Sequence, residues 1–442
     1  MSEIELKSNV IKTGREKGII LRFILASLVG VFMFFVPVTI NGASSIMIDH
    51  IVSWIRASVP GVVPYYALFV MAIGAIYPFY TKKWNASIVD ICFSILKVVG
   101  VVFGILYCLK VGPAWFFAPD VGPFLYEKLV ISVSLLVPIG SAFLALLVGY
   151  GLLEFIGTFC RPIMRPLWNT PGRSAIDAVA SFVGSYSLAL LITNRVYKEG
   201  KYTTKEAAII ATGFSTVSAT FMIIIAKTLD IMHLWNVYFW TTLVVTFIVT
   251  AITVRIPPLS RKPDTYVTEE GFPEPVYKEK MLECAWEDAL EVSKSAPSIM
   301  KNIAVNLKDG FIMTMGILPS IMSVGLIGIV LAKFTPIFDW ISYIFYPFTW
   351  LLQLPEADLA AKAASVGIAE MFLPSLLVVS APLVTKFVIA VVSVSSILFF
   401  SASIPCILST DIPLKVSELI ILYVQRTILT LLIITPIAYL LL

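Results

Sequence analysis

The segment from residue 175 to residue 194 constrains the fold most, because it is apolar and yet has basic clusters on both sides. The clusters consist of Arg161, Arg165 and Arg173 before the segment and of Arg195, Lys198, Lys201 and Lys205 after it. Basic residues beside membrane segments stay in the cytoplasm, so a single crossing would place one cluster outside. A re-entrant hairpin keeps both clusters inside. We therefore favour a hairpin over an ordinary span with one misplaced basic loop.

The whole chain has the composition of a multi-pass membrane protein. Of its 442 residues, 58% are hydrophobic and only 14% are charged, and the mean hydropathy is +0.92. A soluble domain carries about 25% charged residues. The net charge of +4 is too small to indicate a nucleic acid partner. The lipid bilayer is therefore the first partner that the sequence predicts.

Hydropathy predicts about nine transmembrane helices besides the hairpins. They are placed at residues 19–40, 62–80, 88–109, 129–155, 206–226, 234–254, 311–331, 386–408 and 418–441. Lys7, Lys12, Arg15 and Lys17 precede the first span, which places the N-terminus in the cytoplasm. That span lacks a small-residue cleavage pattern and is interpreted as a retained helix. Residues 282–310 are expected to form a partly amphipathic helix on the inner membrane surface.

A second apolar stretch repeats the first one at an offset of 183 residues (367 − 184) without a gap. The matching pairs are Val183-Gly184 with Val366-Gly367, Ser218-Ala219-Thr220 with Ser401-Ala402-Ser403, and Thr212 with Ser395. Self-similarity at a fixed offset indicates an internal repeat, so a second hairpin is expected at residues 361–382. Three predicted crossings separate the hairpins, and this odd number predicts inverted repeats. The first hairpin would open inward and the second outward.

Two predicted spans, 206–226 and 386–408, contain glycine and clustered hydroxyl groups that a plain anchor does not need. A helix in hydrocarbon must satisfy its own backbone, so these interruptions predict discontinuous helices that face protein or water. Tight helix packing also favours small residues and is the alternative for any one of them. The candidate substrate-binding residues are Ser185, Tyr186, Ser187, Asn194, Ser215, Thr216, Ser218, Thr220, Glu370, Ser395, Ser396, Ser401 and Ser403.

Charged residues inside apolar segments are costly and therefore indicate function. Glu370 lies near the middle of the second hairpin and is a candidate for contact with the substrate or a coupling cation. Its alternative role is to pair with Lys362 or Arg426. Asn194 ends the first hairpin beside Arg195, either as a ligand or as a helix cap.

A second group of residues is assigned to coupling or structural charge. Its members are Asp177, Lys362, Gln425 and Arg426. Asp177 and Lys362 lie near the ends of the hairpins, where capping or an interfacial salt bridge is expected. For Arg426, pairing with a carboxylate and contact with the substrate are both open.

Motifs for metal binding and catalysis are missing from the sequence. The five cysteines are scattered without a CxxC pair, and the two histidines are not part of an HExxH motif. GxxxxGK[ST], which would indicate a nucleotide-driven pump, does not occur either. We expect no metal, no cofactor and no enzymatic activity.

The run DAVASFVGSYSLALLITNRVYKEGKYTTKEAAIIATGFSTVSATFMI resembles the nucleoside-recognition Gate domain, in the YjiH-like branch of bacterial integral membrane proteins. The match covers about residues 175–226, and GFSTVSATF is its most distinctive part. Gate domains recur in concentrative nucleoside transporters and in the membrane part of bacterial ferrous-iron transporters. The absence of a GTPase domain here counts against the iron role. The resemblance implies paired hairpins and broken helices, and it suggests nucleosides or related solutes.

By position, the resemblance assigns the site to residues 184–194 and 213–220. Residues 366–370 and 393–403 correspond through the internal repeat. The expected regions are an N-terminal transmembrane scaffold (1–173), the first Gate repeat (174–254), a cytoplasmic linker with the amphipathic helix (255–309), and the second repeat (310–442). The last region includes an aromatic helix at the outer membrane surface.

Together these observations predict an all-α polytopic membrane protein that resembles concentrative nucleoside transporters. We expect a secondary transporter in the bacterial cytoplasmic (inner) membrane, assembled as a homo-oligomer. It would move a small polar solute such as a nucleoside, coupled to Na⁺ or H⁺, by alternating access around a midplane site. The alternative is a non-transporting Gate-fold scaffold or sensor that acts with a partner protein.

Overall fold

The computed structural model describes residues 3–40, 43–82, 84–85, 88–119, 121–183, 186–217, 219–276 and 279–442. Within these ranges the chain is almost entirely helical, as predicted. The candidate residues Ser185 and Ser218, and Gly184 of the repeat alignment, lie outside the described residues.

The N-terminal region consists of four helices and one short β-hairpin. Helix α1 spans Glu3–Phe35, strands β1 and β2 span Pro37–Ile40 and Ala43–Ile46, and helices α2, α3 and α4 span Met47–Ser58, Val63–Tyr80 and Ile88–Leu109. The strands pair antiparallel. The prediction of a first span reaching residue 40 is therefore wrong at its end. Pro37 disfavours helix at the residue before it, and the β-branched residues that follow favour a strand.

Helices α5 and α6 divide a segment that the sequence predicts as one span. A π-helical turn, Phe124–Val130, leads into α5, Ile131–Val148, and α6 follows as Leu152–Trp168. The predicted span 129–155 is therefore too long. Gly151 has a φ of +102°, and a Cβ at this position would lie 2.3 Å from the Ala289 carbonyl oxygen. Only glycine fits such a turn against a neighbouring backbone.

Two sets of five helices follow the same plan. The first set comprises α7 (Ala175–Val183), α8 (Tyr186–Lys198), α9 (Thr204–Gly213), α10 (Ala219–Thr228) and α11 (Trp235–Thr253). The second comprises α16 (Ala357–Val366), α17 (Leu373–Leu377), α18 (Leu383–Ser395), α19 (Ser403–Leu408) and α20 (Val416–Leu441). In each set a helical hairpin precedes a helix that is broken in the middle, and a long continuous helix comes last.

The breaks fall at equivalent positions in the two sets. Helices α7 and α16 end 183 residues apart (366 − 183), and α9 and α18 end 182 apart (395 − 213). Helices α10 and α19 begin 184 apart (403 − 219). The 183-residue offset found in the sequence therefore relates these helix ends in the two sets to within one residue. The second hairpin begins at Ala357, four residues before the predicted start.

Four helices connect the two sets. Helix α12 spans Met281–Ser295, α13 spans Ile299–Phe334, and the short helices α14 and α15 span Ile337–Ser342 and Tyr346–Leu351. The prediction that separates an amphipathic helix up to residue 310 from a span at 311–331 is wrong. Pro297 separates α12 from α13, and from Ile299 onward the 36 residues of α13 form one continuous helix.

Helix α13 packs at the centre of the scaffold against α3, α4 and α5. Glycine residues of α3 and α4 allow these helices to approach the backbone of α13 closely. A Cβ at Gly74 of α3 would lie 1.8 Å from the Met315 carbonyl oxygen, and one at Gly100 of α4 would lie 2.0 Å from that of Pro319. Small residues at such crossings let helix backbones meet inside a membrane.

Seven helices in the described part of the chain are long and apolar enough to cross a membrane. These are α1, α3, α4, α5 with its π-helical turn, α11 with the turn before it, α13 and α20. The broken helices α9–α10 and α18–α19 correspond to the other two predicted spans. The chain is therefore a multi-pass membrane protein, and the orientation of its repeats in the bilayer stays a prediction.

Candidate functional site

The two hairpin tips and the two helix breaks meet around a small cavity of about 90 Å³. We call it the central cavity. Its lining residues are Leu129, Tyr186, Val217, Phe221, Glu370, Met371 and Phe399. Tyr186 begins α8 after the first tip, and Glu370 lies in the second tip. Val217 and Phe399 lie in the two breaks. Four interruptions of regular helix therefore converge on one place.

Glu370 is the acidic residue of the central cavity. Its side chain is 2% exposed, and its Oε2 accepts hydrogen bonds from the backbone N–H groups of Phe372 (2.5 Å) and Leu373 (3.1 Å). The carboxylate thus caps the start of α17. The alternative that pairs Glu370 with Lys362 is wrong, because Lys362 pairs with Asp339 at 2.5 Å.

Aromatic rings form much of the cavity wall. The rings of Tyr186 and Phe399 meet edge to face with centroids 5.7 Å apart, and those of Phe221 and Phe372 do so at 6.1 Å. Such walls suit a flat ring, while a carboxylate accepts hydrogen bonds from N–H or O–H groups. Binding pockets for organic ligands usually measure about 300–1,000 Å³, so a nucleoside would require this cavity to open.

Backbone hydrogen bonds hold the second tip to the second break. The N–H of Phe400 donates to the Ile368 carbonyl oxygen (2.7 Å), and that of Ser401 donates to Ala369 (2.9 Å). In the first half, the Ser181 hydroxyl donates to the Thr216 carbonyl oxygen (2.6 Å). Each hairpin is therefore fastened to the broken helix that follows it.

Two predicted hydroxyl groups in the breaks are buried and have no hydrogen-bond partner among the residues that the structure describes. They are the Oγ atoms of Ser215 and Ser401. A buried donor left unpaired costs about 1–3 kcal/mol, so each of these hydroxyls would be satisfied by a water molecule, an ion or a polar solute. Both residues fit the prediction of a polar site at the breaks better than the packing alternative.

Other predicted hydroxyl groups are engaged within the protein. Ser395 Oγ accepts from Thr430 (2.9 Å), Ser396 Oγ donates to the Val392 carbonyl oxygen (2.5 Å), and Ser403 Oγ accepts from the Phe399 N–H (2.8 Å). Ser187 is buried within α8. These bonds favour the packing alternative for Ser395, Ser396 and Ser403.

Asn194 lines a different cavity, of about 200 Å³, at the base of the first hairpin. We call it the polar cavity, and its polar lining includes Asn194, Arg195, Lys198, Asn306, Asp309 and Asp411. Asn194 Oδ1 accepts from the backbone N–H of Asp411 (2.9 Å). Because Asn194 lies inside α8, which ends at Lys198, its predicted alternative role as a helix cap is wrong. Asn194 and Glu370 line separate cavities.

Asp177 joins the two arms of the first hairpin. It is fully buried and accepts hydrogen bonds from the hydroxyls of Thr193 and Tyr202, both at 2.7 Å. The expected interfacial salt bridge is therefore wrong for Asp177, since these side-chain donors are neutral and deep in the protein. Asp177 lies in the first turn of α7, and its capping role there stays a prediction. Beyond the hairpin, Lys201 pairs with Glu154 at 2.7 Å.

The pKa of Lys201 follows from these surroundings. Burial alone would lower the pKa of this ammonium group. The carboxylates of Glu154 and Glu199 outweigh burial and raise the pKa above its ordinary value. Lys201 is therefore a permanent cation at the base of the first hairpin.

Arg426 is 1% exposed within α20 and has no carboxylate partner among the described side chains. Its Nε donates to the Ser395 carbonyl oxygen (2.9 Å), and its Nη1 donates to the Thr250 hydroxyl (3.0 Å). The predicted pairing with a carboxylate is therefore wrong. Gln425 donates to the Pro257 carbonyl oxygen (2.7 Å).

Sequence reasoning missed Thr250. It belongs to a row on α11, Thr242, Thr246 and Thr250, in which each hydroxyl lies four residues from the next. A hydroxyl on the same face at every turn of an apolar helix was the signal that could have found it.

The segment after α11 forms a strap over the bases of several helices. We define the strap as residues 255–276. The backbone N–H of Thr204 donates to Thr265 (2.8 Å), and that of Phe272 donates to Gly200 (2.8 Å). Lys262 pairs with Glu418 of α20 at 2.8 Å. The sequence predicts only a linker here, since proline and charged residues carry no periodic signal.

Glu274 fixes the end of the strap. Its carboxylate accepts from the backbone N–H groups of Gly172 (2.8 Å) and Arg173 (3.0 Å), and Arg161 lies 3.5 Å away. The side chain is 3% exposed. No local pattern in the sequence indicates this buried carboxylate, because the residues that surround it lie about a hundred positions earlier.

Comparisons with known proteins agree with the Gate resemblance. The family model described as "Gate: Nucleoside recognition" matches residues 130–232. An uncharacterized protein of Alkalihalophilus pseudofirmus (strain ATCC BAA-2126 / JCM 17055 / OF4), BpOF4_10220, is 33% identical over 99% of this chain and 97% of its own length.

Two solved structures are similar in fold. Both are substituted variants of a protein named CNTnw in an outward-facing state. One has a TM-score of 0.49 and 14% identity, covering 95% of this chain and 99% of that one. The other has a TM-score of 0.47 and 12% identity, covering 94% and 99%.

Proposed function

Because the chain belongs to the family of the A. pseudofirmus protein and contains a nucleoside-recognition Gate domain, we propose that it is a secondary transporter of a small polar solute. A nucleoside is the first candidate, and Na⁺ or H⁺ is the coupling ion. The protein would act in the bacterial cytoplasmic membrane as a homo-oligomer, with its N-terminus in the cytoplasm.

The observation that carries this proposal is the convergence on the central cavity. Two hairpin tips and two helix breaks meet there beside the buried carboxylate of Glu370. A membrane anchor or a passive scaffold has no need of irregular backbone at this depth, whereas a solute site does. Aromatic walls would hold a base, and Glu370 would accept its hydrogen bonds.

The transport cycle would expose the central cavity to each side in turn. Residues 174–254 and 310–442 would carry the site, residues 1–173 would serve as a scaffold, and residues 255–309 would link the repeats. Ser215 and Ser401 would contact the solute or ion, since no described residue forms a hydrogen bond with their buried hydroxyls. The polar cavity with Asn194 would lie on the path to the site.

Ligand-dependent stability of the purified protein tests the proposal first. Nucleosides, nucleobases, amino acids and dipeptides are compared by thermal unfolding, each with and without Na⁺ and at two pH values. A ligand that binds only the folded state stabilises it by about 2.7 kcal/mol at 100 times its dissociation constant. We expect a nucleoside to raise the unfolding temperature in a way that depends on Na⁺ or pH.

A matched pair of variants then tests the role of Glu370. Glu370→Gln removes the charge in the central cavity, whereas Asp358→Asn removes an exposed charge from the first arm of the same hairpin. Loss of a charge-assisted hydrogen bond of about 1.5–3 kcal/mol predicts at least about a tenfold loss of uptake in proteoliposomes for Glu370→Gln only. Equal uptake by both variants would contradict the proposal that Glu370 binds the solute or the coupling ion.

The scaffold alternative makes a different prediction. A scaffold or sensor would show no stabilisation by any solute, would tolerate Glu370→Gln, and would copurify with a stoichiometric partner. Stabilisation by another class of solute would support the transporter proposal but would exclude a nucleoside as the solute.

A further inference from the structure

Arg426 is a buried cation with an unusual set of partners. It lies in the middle of the apolar helix α20 and is 1% exposed. Among the described residues, no carboxylate lies within 4.0 Å of its guanidinium group. A buried charge normally needs an opposite charge or strong dipoles nearby, because desolvation is costly. The dipoles around Arg426 therefore decide what this residue does.

The guanidinium group reaches the C-terminal ends of both broken helices. Nε donates to the carbonyl oxygen of Ser395, the last residue of α18. Nη1 donates to the hydroxyl of Thr250. The Thr250 hydroxyl lies within hydrogen-bond distance of two carbonyl oxygens, that of Gly213, the last residue of α9 (2.9 Å), and that of Thr246 (2.8 Å). One side chain thus connects the two repeats at their breaks, directly in one and through one hydroxyl in the other.

The charges at this junction balance. A helix C-terminus carries about half a negative elementary charge. Two such ends offset about one positive charge, which is the charge of Arg426. The third nitrogen, Nη2, is buried and has no hydrogen-bond partner in the described part of the chain. The group is therefore held by the two helix ends and not by a complete set of hydrogen bonds.

We propose that Arg426 is a built-in cation that joins the broken helices α9 and α18 and takes the place of a bound alkali ion at their carbonyl ends. Its charge is covalently attached and present at every physiological pH. The junction therefore needs no ion from solution. What this means for coupling rests on the proposed function: Na⁺, if it drives transport, would bind elsewhere. The connection between the helices does not depend on transport.

Stability measurements on the purified full-length protein test this proposal without any substrate. Wild type, Arg426→Met and Arg426→Lys are unfolded thermally in LiCl, NaCl, KCl or choline chloride at equal ionic strength. Arg261→Met, which removes an exposed positive charge from the strap, is the control. We expect Arg426→Met to unfold at least about 5 °C lower in choline chloride and to recover part of this loss in Na⁺ or Li⁺. Arg426→Lys should stay closer to wild type.

The comparison that decides is the cation dependence of each variant relative to wild type. If a small cation raises the unfolding temperature of Arg426→Met more than that of wild type, the result supports the proposal that the cation binds where the guanidinium group was removed. The same cation dependence in Arg426→Met, Arg261→Met and wild type would overturn the proposal. Transport activity plays no part in this comparison, so its outcome is separate from that of the proposed function.

A second variant covers the case in which Arg426→Met does not fold. Thr250→Val keeps the charge and nearly the same volume but removes the hydroxyl between Arg426 and Gly213. We expect a smaller fall in unfolding temperature and no added cation dependence, because the cation is still present. A Thr250→Val protein as stable as wild type would contradict the connection to α9.

Discussion

Gly213 ends α9 directly against the side chain of Thr250. A Cβ added at Gly213 would lie 2.4 Å from Thr250 Cγ2, so Gly213→Ala must displace either the helix end or the threonine. We expect this change to destabilise the protein by about 1–3 kcal/mol, as overpacking of a buried contact does. Thermal unfolding in detergent would measure the loss.

Gly316→Ala is the matched control for this prediction. Gly316 lies in α13, where the nearest atoms to an added Cβ belong to Ser409 at 3.8 Å. Alanine there should be neutral or slightly stabilising, since it favours helix by up to about 1 kcal/mol over glycine. Equal effects of the two substitutions would mean that the approach of Gly213 to Thr250 does not matter.

At the residue scale, polar members of the site could be predicted and apolar ones could not. Glu370 and Tyr186 stand out because polar groups are rare in apolar segments. Val217, Phe221 and Phe399 line the same cavity, but in sequence they look like any lipid-facing or core residue. The pairing of Arg426 with Thr250 joins residues 176 positions apart, and no local pattern indicates such a partner.

At the scale of elements, Glu274 decides whether the strap stays docked. Its carboxylate accepts hydrogen bonds from two backbone N–H groups and lies near the side chains of Arg161 and Arg173. Glu274→Gln removes the charge from this arrangement. We expect at least about tenfold faster tryptic cleavage within the strap, because a hydrogen bond to a charged group contributes about 1.5–3 kcal/mol and cleavage follows local opening.

The control for the strap is Glu269→Gln, which removes an exposed charge from the same segment. Its cleavage rate should equal that of wild type. If Glu274→Gln were cleaved no faster than Glu269→Gln, the strap would be held by its other contacts, which include the backbone hydrogen bonds to Gly200 and Thr204 and the Lys262–Glu418 pair.

The hairpins and broken helices could be predicted as elements, because basic flanks and hydroxyl clusters are local signals. The helices α5 and α6, which precede the first hairpin, show a boundary that local signals do not predict. Apolar residues continue through positions 149–151, so hydropathy extends one span across the turn at Gly151. That turn exists because Gly151 meets Ala289 of α12, a contact that only the folded chain reveals.

At the scale of the whole molecule, the two repeats are tied to each other at two levels. Arg426 connects the broken helices inside the protein, and the strap connects the base of the first hairpin with α20 through Lys262 and Glu418. The repeats should therefore move together. In a transporter that alternates access, the displacement would then occur between α13 and the two five-helix sets, α7–α11 and α16–α20, which would move as one unit.

Spin labels can measure this expected movement. One pair would join the half-buried Lys205 of α9 to Leu383 at the exposed start of α18. A second pair would join Leu383 to the exposed Ile327 of α13. We expect the first distance to stay constant between solute-free and solute-loaded protein, while the second changes. A first distance that changes as much as the second would contradict the joint movement of the repeats.

The length of α13 has a consequence for how a solute would meet the protein. Its 36 residues span about 54 Å at 1.5 Å per residue, whereas the hydrocarbon layer is about 30 Å thick. The surplus belongs to the first turns, which contain Asn306 and Asp309 of the polar cavity. We therefore expect that cavity to open to the aqueous layer beside the bilayer, where Arg195 and Asp309 would meet a solute before it sheds its water.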